Sequence, residues 1–172
     1  MTSPCRRRSR SSARLWPALC LVAPGLLAPG PGSRAAAATE YAVITSPGAT
    51  TETLSSRELR QLLRLERGFW KAGAPVALLL PAPRSETRAF LLRRVYGGSE
   101  EDMKRAILEK LYRGEINLAP KVVTTDEEAV AFTASGRGVI ALVPADLVPD
   151  AGVRVLAIDG QLPGSASYPL KE

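Results

Sequence analysis

Residues 75–90 read PVALLLPAPRSETRAF, an apolar run followed directly by the start of a helix. The run Pro75–Leu80 is too short for a free helix and is bounded by prolines, which predicts a buried strand. Ser85 is a favourable helix cap, and the pattern after it predicts a helix over about 86–96. This strand, loop and helix form one unit of an α/β fold.

The loop of this unit carries the best candidate site in the chain. The N–H groups and the positive dipole end of a helix start attract anions. Ser85 and Thr87 add hydroxyl donors there, and Arg84 and Arg88 add guanidinium groups that can bind an oxyanion in bidentate fashion. An alternative interpretation stays open, in which Ser85 only caps the helix and both arginines are solvated.

Other segments on both sides of this unit predict an alternation of strands and helices. Further strands are predicted at Tyr41–Thr45, Val139–Val143 and Val153–Ile158, with a short one at Val122–Val123. Helix caps are predicted at Ser55, Ser99 and Thr125, with capping boxes from Ser55 to Glu58 and from Thr125 to Glu128, and helix ends at Gly68, Gly114 and Gly136. The alternation predicts an α/β domain with a mixed sheet flanked by helices.

The first 38 residues differ in composition from the rest of the chain. They contain both cysteines and six arginines but no acidic residue, whereas the remainder balances 17 basic against 17 acidic side chains. The basic start, the short apolar run 15–28 and the alanines 35–38 predict a signal peptide over 1–38. A disordered tail is the alternative interpretation. We therefore expect a domain over 39–172 that is periplasmic or secreted and does not span a membrane, with the export route open.

The composition after residue 38 excludes several classes of function. The segment has no histidine and no cysteine, so it offers no zinc site of the usual kind and no thiol nucleophile. Its zero net charge and few aromatic residues argue against nucleic-acid binding, which requires clustered basic side chains. We expect no metal, no cofactor and no catalytic residue.

Two further loops are predicted to converge on the same end of the sheet as the 84–88 loop. One covers 45–51 and contains Thr50 and Thr51, and the other covers 135–138. Both are rich in hydroxyl groups or exposed backbone, although ordinary surface loops have the same composition. Trp70 is interpreted as a core or turn anchor rather than as a surface for a ligand.

The order of these features resembles the phosphate-type substrate-binding proteins of ABC transporters. The resemblance covers most of 41–170. It rests on YAVIT (41–45), LSSRELRQLL (54–63), the turn 70–73, PAPRSETRAF (81–90), which is similar to the family's R-x-x-S-G-T-x-x-F phosphate loop, SGRGVIALVP (135–144) and the stretch 153–170.

The resemblance implies a bilobed or half-bilobed periplasmic-binding fold that binds a small oxyanion, phosphate foremost, without catalysis. The length of the chain leaves room for a single periplasmic-binding-protein-like lobe of that fold. ABC transporter membrane subunits are the implied partners. The implied central contacts are Ser85, Thr87 and Arg88, with Arg84, Thr50 and Thr51 assisting.

Two alternatives remain open at this point. Glu86 stands where the family loop has glycine, and a carboxylate there would repel an anion or occupy its place. The chain could therefore be a degenerate binding domain that acts as an envelope interaction module without a ligand. A hydrolase using carboxylates such as Glu86 or Asp126 is the weaker alternative, because the sequence has no evident cluster of catalytic groups.

Overall fold

The computed structural model describes residues 39–51, 53–116, 118–148 and 152–172. The predicted signal peptide, 1–38, lies outside the described residues. The described strands are β1 (Tyr41–Thr45), β2 (Thr53–Leu54), β3 (Ala77–Leu80), β4 (Lys121–Val122), β5 (Val139–Pro144), β6 (Arg154–Val155) and β7 (Ala157–Ile158). The described helices are α1 (Ser56–Leu63), α2 (Glu86–Leu91), α3 (Glu100–Tyr112) and α4 (Asp126–Ser135), with a π-helical turn at Leu92–Tyr96 and a 3₁₀ turn at Ala145–Leu147.

Five of these strands form one mixed sheet in the order β4-β3-β5-β1-β6. β3 runs parallel to β4 and β5, whereas β1 runs antiparallel to β5 and β6. The predicted mixed sheet flanked by helices is therefore confirmed. Among the described residues, no helix is long and apolar enough to cross a membrane.

The two faces of the sheet bury separate apolar cores, because successive side chains of a strand point to opposite faces. One core joins the sheet to α1, α2 and α3, and its sheet residues include Tyr41, Val43, Ile140 and Leu142. The other joins the sheet to α4, and its sheet residues include Ala42, Ile44, Ala141 and Val143. Phe90 of α2 stacks on Tyr41 with 4.2 Å between the ring centroids, which fixes α2 against the first face.

The helix caps follow the sequence closely. Ser55 and Glu58 form the predicted capping box at α1, and the ammonium group of Lys71 together with Ser55 lowers the pKa of Glu58 to about 2. At α4 the box is incomplete. The Thr125 side chain accepts from the Glu128 N–H, but the Glu128 carboxylate accepts from the N–H (2.7 Å) and the hydroxyl (2.6 Å) of Thr124 instead.

Several element boundaries differ from prediction. α1 ends at Leu63 rather than Gly68, because Arg64 caps it and Leu65 takes a positive φ of 56°. The short strand β2, which begins at Thr53, was not predicted. The predicted strand 153–158 is two short strands: β6 pairs with β1, whereas β7 pairs in parallel with β2 in a second sheet. Leu156 lies between them, and its N–H still donates to the Val43 carbonyl (2.9 Å).

The C-terminal stretch after β7 is irregular, but hydrogen bonds attach it to the start of the domain. The Tyr168 side chain is buried and its hydroxyl donates to the Tyr41 carbonyl (2.9 Å). The Glu172 N–H donates to the Thr39 carbonyl (3.1 Å), and the Lys171 ammonium lies 2.7 Å from the Glu40 carboxylate. Residues 39 and 172 therefore lie side by side.

Candidate functional site

The loop 81–85 leaves the carboxyl end of β3 and places Ser85 at the cap of α2. The Ser85 hydroxyl accepts from the Arg88 N–H (3.0 Å) and donates to the Ala82 carbonyl (2.9 Å), while the Ser85 N–H donates to the same carbonyl (3.2 Å). Arg84 is exposed and takes a positive φ of 67°, which turns the chain into the helix.

Two N–H groups at this helix start stay available. The first amides of a helix have no acceptor within the helix. At α2, Ser85 and Ala82 satisfy two of them, as described above. For the N–H groups of Glu86 and Thr87, no acceptor is found among residues 39–51, 53–116, 118–148 and 152–172. This pair of amides is the part of the candidate site that no acceptor of the described residues occupies.

Arg88 lies inside the protein. Its Nε and Nη2 donate to the two carboxylate oxygens of Glu100, at 3.0 and 2.7 Å, and its Nη1 donates to the Pro81 carbonyl at 3.1 Å. The Arg88 side chain is only 4% exposed. The bond from Arg88 lowers the pKa of Glu100 below its ordinary value. The guanidinium that was expected to bind an anion therefore already holds a carboxylate in bidentate fashion.

Thr87 is also engaged within the protein. Its buried hydroxyl donates to Oδ2 of Asp126 (2.8 Å), the first residue of α4. The other oxygen of this carboxylate, Oδ1, is buried and has no hydrogen-bond partner within the described part of the chain. Burial raises the pKa of Asp126, against the lowering effect of the Thr87 hydroxyl. A carboxylate of the protein thus occupies one of the donors that the sequence suggested for a ligand.

Glu86 is exposed at the first position of α2. The Glu86 carboxylate accepts no hydrogen bond from Ser85, Thr87 or Arg88. The Thr87 hydroxyl donates to Asp126 instead, and the Arg88 guanidinium donates to Glu100. Sequence analysis named Asp126 only as a possible hydrolase carboxylate and did not name Glu100. No sequence signal links them to residues 39 and 12 positions away. Among the described residues, no group of three metal-ligating side chains is found.

Thr50 and Thr51 lie at the end of the sheet opposite to the 84–88 loop. Thr45 pairs with Ile140 and Ala77 with Val139, so the loop after β1 lies at the amino ends of β3 and β5. The segment 84–88 follows the carboxyl end of β3, about 13 Å away along a four-residue strand. The structure therefore does not bring Thr50 and Thr51 to the Arg84–Arg88 loop.

The loops 46–51 and 135–138 do meet each other, but at the amino ends of β3 and β5 rather than at the end of the sheet that carries the 84–88 loop. Residues 46–51 and 135–138 line a cavity of about 600 Å³ together with Trp70. The Trp70 side chain is buried and its Nε1 donates to the Gly138 carbonyl (3.0 Å), which confirms its interpretation as an anchor. Gly138 has a φ of 66°, and a Cβ there would lie 2.5 Å from the Pro75 carbonyl oxygen.

Comparison with known proteins gives structural neighbours only. No protein-family model matches the chain, and no curated protein sequence does either. Among solved structures, PstS from Borrelia burgdorferi has a TM-score of 0.63, 16% identity and 78% coverage of this chain. A putative phosphate ABC transporter substrate-binding protein with bound phosphate from Clostridium perfringens has a TM-score of 0.60, 15% identity and the same coverage. An ABC-type phosphate transport receptor from Vibrio cholerae has a TM-score of 0.52, 10% identity and 71% coverage.

These neighbours show the fold. The chain has the α/β architecture of phosphate-type substrate-binding proteins, as the sequence resemblance implied. It spans about half the length of the neighbours it matches, 53% of the C. perfringens protein and 55% of the B. burgdorferi protein.

Proposed function

We propose that residues 39–172 form a non-catalytic solute-binding lobe that holds a small oxyanion, phosphate foremost, at the start of α2. The observation that carries the proposal is the pair of N–H groups at Glu86 and Thr87, which lack an acceptor among the described residues. They lie beside the exposed Arg84 in a fold shared with phosphate-binding proteins. Helix-start amides and a nearby guanidinium together favour a compact anion.

The binding is expected to be weak. Thr87 and Arg88 would contact the anion only where Asp126 and Glu100 release them, and Ser85 already uses its hydroxyl within the helix cap. A lobe that covers one side of an anion leaves the other side hydrated. We expect dissociation constants on the order of mM to tens of µM. Nanomolar phosphate binding by a monomer would contradict this expectation.

The proposal includes export and a transport partner. The predicted signal peptide would be removed close to Thr39, and the lobe would act in the periplasm or outside the cell for or beside the membrane subunits of an ABC uptake system. N-terminal sequencing of the protein recovered from cells tests the first step. An intact Met1 on the functional protein would rule out the processing.

Anion titration of the purified protein tests the site itself. Phosphate, sulfate and molybdate are titrated by calorimetry and by amide chemical shifts at α2. Replacing Glu86→Gly removes a like charge beside the amides and should strengthen phosphate binding by about 1–2 kcal/mol. Arg84→Ala in the same background should reverse the gain. Arg137→Ala is the matched control, because this exposed arginine lines the cavity at the opposite end of the strands. Its replacement should leave phosphate binding unchanged.

A second candidate function is an envelope interaction module that binds no ligand. The internal pairs Arg88–Glu100 and Thr87–Asp126 favour it, because they satisfy the side chains that the anion would need. The same titration separates the two functions. If neither the native chain nor the Glu86→Gly variant responds to any of the three anions, the amides at α2 are only a helix start and the interaction module is the better description.

A further inference from the structure

A second cleft lies away from the α2 start, between α1 and the π-helical turn Leu92–Tyr96. Its volume is about 300 Å³, β5 forms its base, and the C-terminal stretch closes one side through Pro169 and Leu170. The Tyr96 hydroxyl donates to the Leu63 carbonyl (2.9 Å) and so ties the two walls together. Burial raises the pKa of Tyr96 to about 12. The hydrogen bond thus connects the π-helical turn to the end of α1 beside the cleft.

The floor of this cleft is apolar. Leu59 and Leu63 of α1, Phe90 of α2 and Leu142 of β5 line it, and each of these side chains is at most 3% exposed. Val95 of the π-helical turn adds a half-buried wall. Because the floor side chains are nearly covered, most of the apolar surface open to a ligand comes from the half-buried Val95, Pro169 and Leu170. This surface favours a ligand with an aliphatic body, since every methylene that enters the cleft leaves water.

The rim of the cleft carries two exposed arginines, Arg60 and Arg94. Within the described ranges, no carboxylate lies at ion-pair distance from either of them. Arg94 lies 5.9 Å above the centre of the Phe90 ring, and its Nη2 donates weakly to the Pro169 carbonyl (3.4 Å). Both guanidinium groups can therefore turn toward an anionic head group.

The acidic groups around the cleft are already engaged. Asp159 accepts from the N–H and the hydroxyl of Ser56, a lining residue. Glu172 pairs with Arg93, and Glu58 pairs with Lys71 and Arg67. None of these carboxylates is paired with Arg60 or Arg94, although Asp159 keeps its negative charge beside Ser56.

We propose that this cleft binds a short aliphatic carboxylate, with the head group between Arg60 and Arg94 and the chain on the leucine and phenylalanine floor. At roughly 30 Å³ per heavy atom the cleft holds about ten heavy atoms, the size of octanoate. This site is separate from the oxyanion site proposed above, and its test does not depend on that proposal.

A chain-length series tests the site. Calorimetry on the full chain with butyrate, hexanoate, octanoate and decanoate should show about threefold to fourfold tighter binding per added methylene up to octanoate, and no further gain at decanoate. Arg60→Gln and Arg94→Gln should each weaken octanoate binding at least tenfold, since each removes a charged donor. Arg57→Gln is the matched control, because this exposed residue of α1 does not line the cleft.

Other probes identify what is recognised. Octan-1-ol, which has the chain but not the charge, should bind at least tenfold more weakly than octanoate, and phosphate should not compete with octanoate. Equal affinity for octanol and octanoate, an affinity that does not depend on chain length, or unchanged binding in both arginine variants would overturn the proposal. A phosphate titration that fails at α2 would leave the octanoate result intact, so the two proposals can fail separately.

Discussion

Glu100 compensates the buried charge of Arg88, and its replacement by glutamine should be costly. The substitution Glu100→Gln keeps the size of the side chain but removes the negative charge and turns one acceptor oxygen into a donor. Arg88 is 4% exposed and Glu100 27% exposed, so the guanidinium would lose one of two charge-assisted bonds in a place that water reaches poorly. We expect a loss of about 2–3 kcal/mol in the free energy of unfolding.

Urea and thermal unfolding measure this loss. For a domain of this size, the melting temperature should fall by roughly 6–15 °C. Glu101→Gln is the matched control, because it removes the same charge from the same first turn of α3 at an exposed side chain with no contact to Arg88. That change should stay within about 0.5 kcal/mol.

Phosphate provides a second measurement on the same variant. Arg88 would be able to bind an oxyanion once Glu100 no longer neutralises it. Phosphate at ten times its dissociation constant for the Glu100→Gln variant should then raise the free energy of unfolding of that variant by about 1.4 kcal/mol. The native chain should gain less, because Glu100 still holds the guanidinium. Equal losses in Glu100→Gln and Glu101→Gln would refute the reasoning, since the bidentate pair would then contribute nothing to stability.

Three further predictions concern the surroundings of the site. Thr87→Val should cost about 1–3 kcal/mol in urea unfolding, because it leaves the Asp126 carboxylate without its hydroxyl donor, whereas Thr87→Ser should cost less than half of that. Gly138→Ala should cost at least about 2 kcal/mol more than Gly114→Ala; both glycines have a positive φ, but only at Gly138 would the added Cβ meet the Pro75 carbonyl. Because burial raises the pKa of Asp126, the native state keeps its proton to higher pH than the unfolded chain does. As pH rises from the ordinary carboxyl range through the raised pKa, the free energy of unfolding of the native chain should therefore fall relative to that of Asp126→Asn. If the difference in unfolding free energy between the two proteins stays constant over this range, the pKa of Asp126 is not raised.

Features that depend on neighbouring residues were predictable from the sequence. The caps at Ser55, Ser85 and Ser99 and the strands β1 and β5 follow local patterns of hydroxyls, acids and apolar runs. These patterns act over a few residues, so a single sequence contains them. The candidate loop 84–88 was found for the same reason, as a hydroxyl-rich and basic helix start.

Features that depend on strand direction or distant partners were not predictable. The apolar run of β1 does not indicate that this strand lies antiparallel to β5. Because of that direction, Thr50 and Thr51 lie at the end of the sheet opposite to Ser85. The partners of Thr87 and Arg88 come from the starts of two other helices. Their carboxylates decide how much of the anion site stays open, and the spacing of residues in the chain gives no sign of them.

The adjacency of Thr39 and Glu172 has a consequence for engineering. In a protein cut back to residues 39–172, a short linker could join these two hydrogen-bonded residues beside the Lys171–Glu40 pair, and new ends could be opened at the exposed Gly97–Gly98 turn. Such a circular permutant should fold to the same structure. The same adjacency would allow residues 39–172 to be inserted into a surface loop of an unrelated protein. The two junctions would lie close together, so the ends of the host loop would not have to move far apart.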